Sequence, residues 1–109
     1  MRTTAAAENR IFHALADPSR RAIFESLTRG EAAVKDLTAR FDISQPAVSQ
    51  HLATLRDAGL VSGRREGRQV YYRVEPRGMK PLIDWIAHYR AFWTGHVARL
   101  ERLLETMDE

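Results

Sequence analysis

Two apolar repeats of helical period are separated by a connection of only three residues, Asp42-Ile43-Ser44, and this closeness limits the possible folds more than any other feature of the chain. Val34, Leu37 and Phe41 recur at helical spacing, and after Asp42-Ile43-Ser44 the pattern resumes with Val48, Leu52 and Leu55. Two helices must therefore meet across a very short turn. Ser44 can cap the second helix, and Pro46 is tolerated in its first turn. Its end is marked as well, because Gly59 followed by Leu60 reads as a glycine C-cap with its hydrophobic contact.

The flanking sequence adds elements on both sides. Ile11, Phe12 and Leu15 give a short helical pattern that stops before Asp17-Pro18, an N-cap followed by proline at the first helical position. The helix that starts there carries Ile23, Phe24 and Leu27 and is expected to end at Gly30. After Leu60 the period changes to two: Val70, Tyr72 and Val74 alternate with Gln69, Tyr71 and Arg73, and a partner strand begins near Val61. Between them, GRREGR places a hairpin turn between Gly63 and Gly67, with three arginines at its tip. From Pro81 to about Glu105 a last long helix is expected. Leu82, Ile86, Tyr89, Trp93, Val97, Leu100 and Leu104 step by three or four along it, and Trp85, Phe92 and Leu103 form a flanking stripe. That apolar arc covers roughly half the helix, more than the ~100° needed to dock on one core. The surplus implies a second surface to bury.

Composition narrows the class. With 109 residues, 44% hydrophobic and 28% charged, the chain suits one globular domain spanning 1–109. It contains no cysteine, which removes disulfides and thiolate metal sites. No signal-peptide core and no run of about 18 apolar residues is found, so a cytoplasmic protein is expected. The net charge of +3 is local: between Ser44 and Arg73, Arg56, Arg64, Arg65, Arg68 and Arg73 face only Asp57 and Glu66. From Arg99 onward Glu101, Glu105, Asp108 and Glu109 make the end acidic. A polyanion should meet the middle of the chain.

Helix, short turn, helix and basic hairpin is the order of a winged helix-turn-helix, whose second helix enters the DNA major groove. The expected fold is mainly α with a β-hairpin wing (α1-α2-α3-α4-β-β-α5): the helix-turn-helix over about 34–58, the wing over about 60–75, and dimerising helices over about 6–15 and 81–105. Seen this way, the outward arc of the second helix makes sense. Ser44, Gln45, Pro46, Ala47, Ser49, Gln50, Ala53 and Thr54 are small or neutral polar residues where a solvated helix usually carries lysines and glutamates. Glutamine can pair bidentately with adenine, hydroxyls can donate or accept, and an alanine methyl can meet thymine. Arg64, Arg65 and Arg68 of the wing would then contact backbone phosphates. Duplex DNA is the expected partner.

The stretches ALADPSRRAIFESL and DLTARFDISQPAVSQHLATLRDAGLVSGRREGRQVYYRV resemble the ArsR/SmtB family of small bacterial repressors, and the resemblance runs from about Ile11 to Leu104. It implies a homodimeric repressor formed by the first and last helices and bound to an inverted-repeat operator. Ile11, Phe12, Leu82, Trp85, Ile86, Tyr89, Trp93, Val97, Leu100 and Leu104 are the expected dimer contacts. Members that sense thiophilic metals keep a cysteine pair where this chain reads AAVKDLTARF. Others use an Asp-x-His pair and a later His followed three residues on by His or Glu. Here Ile86 follows Asp84 and Arg99 follows His96, so the pattern fails twice, and no metal or cofactor is expected. Asp84 and His88, one turn apart, could still share an ion weakly.

An enzyme is not expected. Ser49 and His51 lie about 160° apart around one helix and cannot pair as nucleophile and base. Three alternatives stay open: a protein-interaction module using the long last helix, an activator, and a sensor of an organic effector near Trp85, Phe92 and Trp93.

Overall fold

A computed structural model describes residues 4–107, so Asp108 and Glu109 of the acidic end lie outside the described residues. The elements run α1 (Thr4–Ala16), α2 (Pro18–Leu27), β1 (Ala32–Ala33), α3 (Val34–Phe41), α4 (Gln45–Asp57), β2 (Val61–Glu66), β3 (Gln69–Val74), α5 (Lys80–His88) and α6 (Arg90–Met107). A 3-10 turn, Pro76–Met79, leads into α5. None of the described helices is long and apolar enough to cross a membrane.

Caps set the boundaries. Asp17 accepts a hydrogen bond from the Arg20 backbone N–H at 2.8 Å and starts α2. The side chains of Arg20 and Arg21 turn back to donate to the carbonyls of Ala14 (2.7 Å) and Leu15 (2.6 Å), which closes the open end of α1. The α2 helix stops at Leu27, before the expected Gly30: the Arg29 and Gly30 N–H groups turn to the Ser26 and Leu27 carbonyls (3.2 and 3.1 Å) in tighter three-residue turns, and the Thr28 hydroxyl donates to the Glu25 carbonyl. At the end of α3, Asp42 adopts the left-handed conformation (φ 51, ψ 42), which turns the chain within three residues. Asp tolerates that region better than most residues. Ser44 then accepts from the Ala47 N–H at 3.2 Å and caps α4.

The exit of α4 follows the Schellman pattern. Gly59 (φ 80) donates to the Arg56 carbonyl at 2.9 Å and Leu60 to the Leu55 carbonyl at 3.0 Å, with Leu55 and Leu60 both fully buried. Gly78 of the 3-10 turn sits directly against this exit. A Cβ there would lie 1.7 Å from the Gly59 carbonyl oxygen, so only glycine allows the approach.

The core joins Ile11 and Ala14 of α1, Ile23, Phe24 and Leu27 of α2, Leu37 of α3, Val48, Leu52 and Leu55 of α4, and Leu60 and Val61. The sheet covers one side in the order β1-β3-β2, all antiparallel. Val61, Gly63 and Arg65 share one face with Val74, Tyr72 and Val70, and of these Val61 belongs to the core while Tyr72 and Val74 pack against it. Gly63 lies close under the Tyr72 ring, which a Cβ there would meet at 3.0 Å, so a larger residue would require the ring to shift. The short β1, paired through Ala32↔Tyr72 and Ala33↔Tyr71, extends the expected two-stranded wing to three strands.

The expected single last helix is broken. Tyr89 leaves helical geometry (φ −105, ψ 17), its N–H turns to the Ile86 carbonyl in a tighter turn, and α6 restarts at Arg90. The rings of Trp85 and His88 pack against Tyr89 at this point, with centroids 5.4 and 4.8 Å away. No proline or glycine marks the break, so the apolar period runs through it unchanged.

Candidate nucleic-acid interface

Burial of Val48, Leu52 and Leu55, each fully covered, fixes the rotation of α4 and so decides which side chains face outward. Ser44, Gln45, Pro46, Ser49 and Gln50 are exposed, while Ala47, Ala53 and Thr54 are half-buried at the edge of that face. Gln45, Ser49 and Gln50 make no side-chain hydrogen bond among the described residues, so their donors and acceptors remain available. The Thr54 hydroxyl donates to the Gln50 carbonyl at 3.2 Å and keeps only accepting capacity. Ser44 is the converse: its oxygen caps the helix and its hydroxyl hydrogen is uncommitted.

His51 lies toward the core side, with Nδ1 buried and unpartnered, and stands near enough to Asp17 to favour its carboxylate. The Asp17 carboxyl is held below its ordinary value, first by the Arg20 N–H and then by charges that include His51.

The wing is tighter than GRREGR suggests. Glu66 pairs with Gln69, leaving Gly67 and Arg68 as a two-residue turn. Gly67 has φ 63 and Arg68 does not have positive φ, the pattern of a type II′ hairpin. Gly63, Arg64 and Arg65 therefore lie within β2, not at the tip, and Arg68 occupies the turn. Strand alternation sends Arg64 and Arg65 to opposite faces.

Their surroundings differ sharply. The Arg64 guanidinium grips both carboxylate oxygens of Glu31, also reaches Glu66, and lies 5.0 Å over the Tyr71 ring. The Glu31 carboxyl is held below its usual range chiefly by that hydrogen bond, and Arg64 is pushed upward by the same contact. Arg73 lies beside Glu75 (3.5 Å), and Arg56 beside Asp57 (3.5 Å). Of the five arginines in the basic segment, only Arg65 and Arg68 have no acidic partner among the described residues.

The expected dimer contacts divide. Ile11 is fully buried within its own chain, which corrects its assignment to a dimer seam. The neighbouring Phe12 is exposed and meets Trp85 edge-on at 5.5 Å. Leu82 is half-buried against the core and so is also largely used within the chain. Ile86, Tyr89, Trp93, Val97, Leu100 and Leu104 are exposed, and Ile83, Phe92, Leu103 and Met107 join them. Ile83 escapes the sequence reading because it lies off the main apolar stripe, and Met107 because α6 continues past the expected end near Glu105. Trp85, Tyr89, Phe92 and Trp93 line an apolar hollow of about 210 Å³ at the helix break.

The histidines and Asp84 on these helices have local partners. Lys80 donates to Asp84 at 2.7 Å, His96 lies 2.8 Å from the Phe92 carbonyl and stacks on its ring, and His88 meets Tyr89 edge-on.

Comparison with known proteins agrees with this geometry. Residues 17–62, from the N-cap of α2 to the start of β2, match the bacterial regulatory protein arsR family. Transcriptional repressor SdpR of Bacillus subtilis is 33% identical over 81 residues, covering 74% of this chain and 90% of that protein. The HTH-type transcriptional regulator Rv2034 of Mycobacterium tuberculosis is 38% identical over 98 residues, covering 90% and 89%. Among solved structures, an ArsR family transcriptional regulator, RHA00566, superposes with a TM-score of 0.76 at 33% identity, covering 86% of this chain and 97% of that one. A winged helix-turn-helix with an unpartnered polar face on α4, matched over most of its length by such regulators, belongs to the arsR family and is a DNA-binding transcriptional regulator.

Proposed function

We propose that the protein is a homodimeric repressor that places α4 of each copy in the major groove of an inverted-repeat operator. The observation that carries this reading is the outward face of α4, where Gln45, Ser49 and Gln50 are exposed and make no bond within the chain. Gln50 reads a base edge, Gln45, Ser49 and Thr54 supplement it, and Ala47 and Pro46 let the helix approach closely. Ser44, at the N-terminus of α4, donates to a phosphate. Arg65 and Arg68 anchor the wing on phosphates.

Dimerisation rests on the α5–α6 face. Ten large hydrophobic side chains there are exposed, far more than the scattered apolar residues of an ordinary monomer. A second copy offers the same surface, as a two-fold interface requires. Repression rather than activation is supported by the naming of the Bacillus subtilis relative as a repressor. A protein of this kind works where the genome is, in the cytoplasm.

Selection of duplexes from a random pool tests the reading. The expected product is a pair of inverted half-sites with centres about one helical turn apart, roughly 34 to 36 Å. A single asymmetric motif, or no enrichment, would contradict it.

A further inference from the structure

The wing offers three arginines to a duplex in sequence, yet their bonding separates them into two kinds. Arg64 makes four contacts with three neighbours: both Glu31 oxygens, Glu66 and the Tyr71 ring face. Glu31 immediately precedes β1, so this contact joins positions 33 residues apart, the near end of the sheet and the outer half of the wing. The Arg64↔Tyr71 and Ala33↔Tyr71 pairs lie in one row across the three strands, which puts Glu31, Arg64 and Glu66 along the same surface.

We propose that Arg64 is a positioning residue, strapped by Glu31 and Glu66 to the body of the protein, and that Arg65 and Arg68 alone make the phosphate contacts of the wing. The proposal rests on the duplex-binding reading above and refines it. A planar guanidinium gripping one carboxylate at two points and a second at its other edge has fixed orientation and little charge left to release counterions. Arg65 and Arg68 are exposed and unpaired, so they keep their full charge for a polyanion. Glu31 thus has an unusual role for an acid near a DNA-binding surface: it helps binding by holding the wing at one angle.

Salt-dependent duplex affinity and amide exchange separate the two roles. Arg65→Ala and Arg68→Ala should each make the salt slope shallower by about 0.9 per wing. Arg64→Ala should weaken binding roughly two- to five-fold, the range of an exposed ion pair, with the slope unchanged. Arg64→Lys should not restore it, because an ammonium cannot make the two-point grip. Glu31→Gln should also weaken binding although it removes a negative charge, and combining it with Arg64→Ala should cost nothing further. A shallower slope in Arg64→Ala, or tighter binding by Glu31→Gln, would overturn the proposal. If the unaltered chain bound no duplex, the functional reading would fall instead, and the strap would be judged by exchange alone. Faster exchange at the β2–β3 tip in Arg64→Ala, with α2 and α4 unaffected, supports the strap, and unchanged exchange overturns it.

Discussion

Helices α4 and α6 are built from similar sequence material and end in opposite circumstances. Both carry aliphatic residues at helical spacing and polar residues between them. On α4 the aliphatic residues Val48, Leu52 and Leu55 are completely buried by the other helices of the same chain. On α6 Val97, Leu100 and Leu104 remain 47%, 54% and 51% exposed. The 18 residues of α6 make a rod about 27 Å long in which no residue is buried. Completed burial on α4 fixes which face the helix turns outward, and incomplete burial on α6 leaves the surface that the proposed dimer would cover. The comparison teaches that an apolar stripe specifies only that burial occurs, and the order and packing of the whole chain decide whether the partner is internal.

The largest effect should come from opening a cavity on the completed side. Leu52→Ala removes a fully buried side chain at the centre of the core and should cost about 2 to 5 kcal/mol in chemical denaturation, regardless of protein concentration. A cost as small as that of a surface change would mean α4 is not seated as described. The corresponding change on the incomplete side, Leu100→Glu, should leave secondary structure intact and shift the protein toward monomer, with duplex affinity falling in parallel. Circular dichroism and sedimentation together check this, and an intact dimer would place the seam elsewhere.

Gln50→Ala tests the outward face of α4. It should reduce discrimination at one position of each half-site by about 1 to 3 kcal/mol, with the salt slope unchanged, as read by competition with mutated duplexes. A uniform loss across all sequences would make Gln50 an anchor and not a reader. The smallest effect concerns the cap of α2. Because the carboxyl of Asp17 is depressed in the folded protein, its contribution is complete above the ordinary unfolded carboxylate range and disappears as pH falls through the lower folded value. Asp17→Asn keeps a capping oxygen and removes the titration. The variant should show a flatter decline in acid denaturation than the parent, and identical acid profiles would contradict the contribution.

Much of the helix-turn-helix half was legible in the sequence because its signals are local. Ser44 and the Gly59-Leu60 pair set both ends of α4 within a few residues, and the Val48, Leu52, Leu55 spacing gave its inward face. What escaped depends on contacts distant in sequence or on geometry without a residue signature. Periodicity could not tell which of the adjacent Ile11 and Phe12 faces the chain's own core, and the structure buries the first and exposes the second. The Tyr89 break has no proline or glycine to announce it, and a strand as short as Ala32–Ala33 has no readable period. The bonding of Arg64 to Glu31 was invisible for the same reason: charge counting assigns a sign to a segment but not a partner to a side chain. Gly78 is another such case, ordinary in sequence and required by the proximity of Gly59.

Sedimentation equilibrium of the unaltered chain and of Leu100→Glu, each over a range of concentrations, tests the central claim most directly. The proposed α5–α6 seam predicts a species of about twice the 12.5 kDa chain mass for the unaltered protein, and dissociation toward 12.5 kDa in the variant. A 12.5 kDa monomer at every concentration of the unaltered protein would contradict the claim and leave the exposed face of α6 to a different partner.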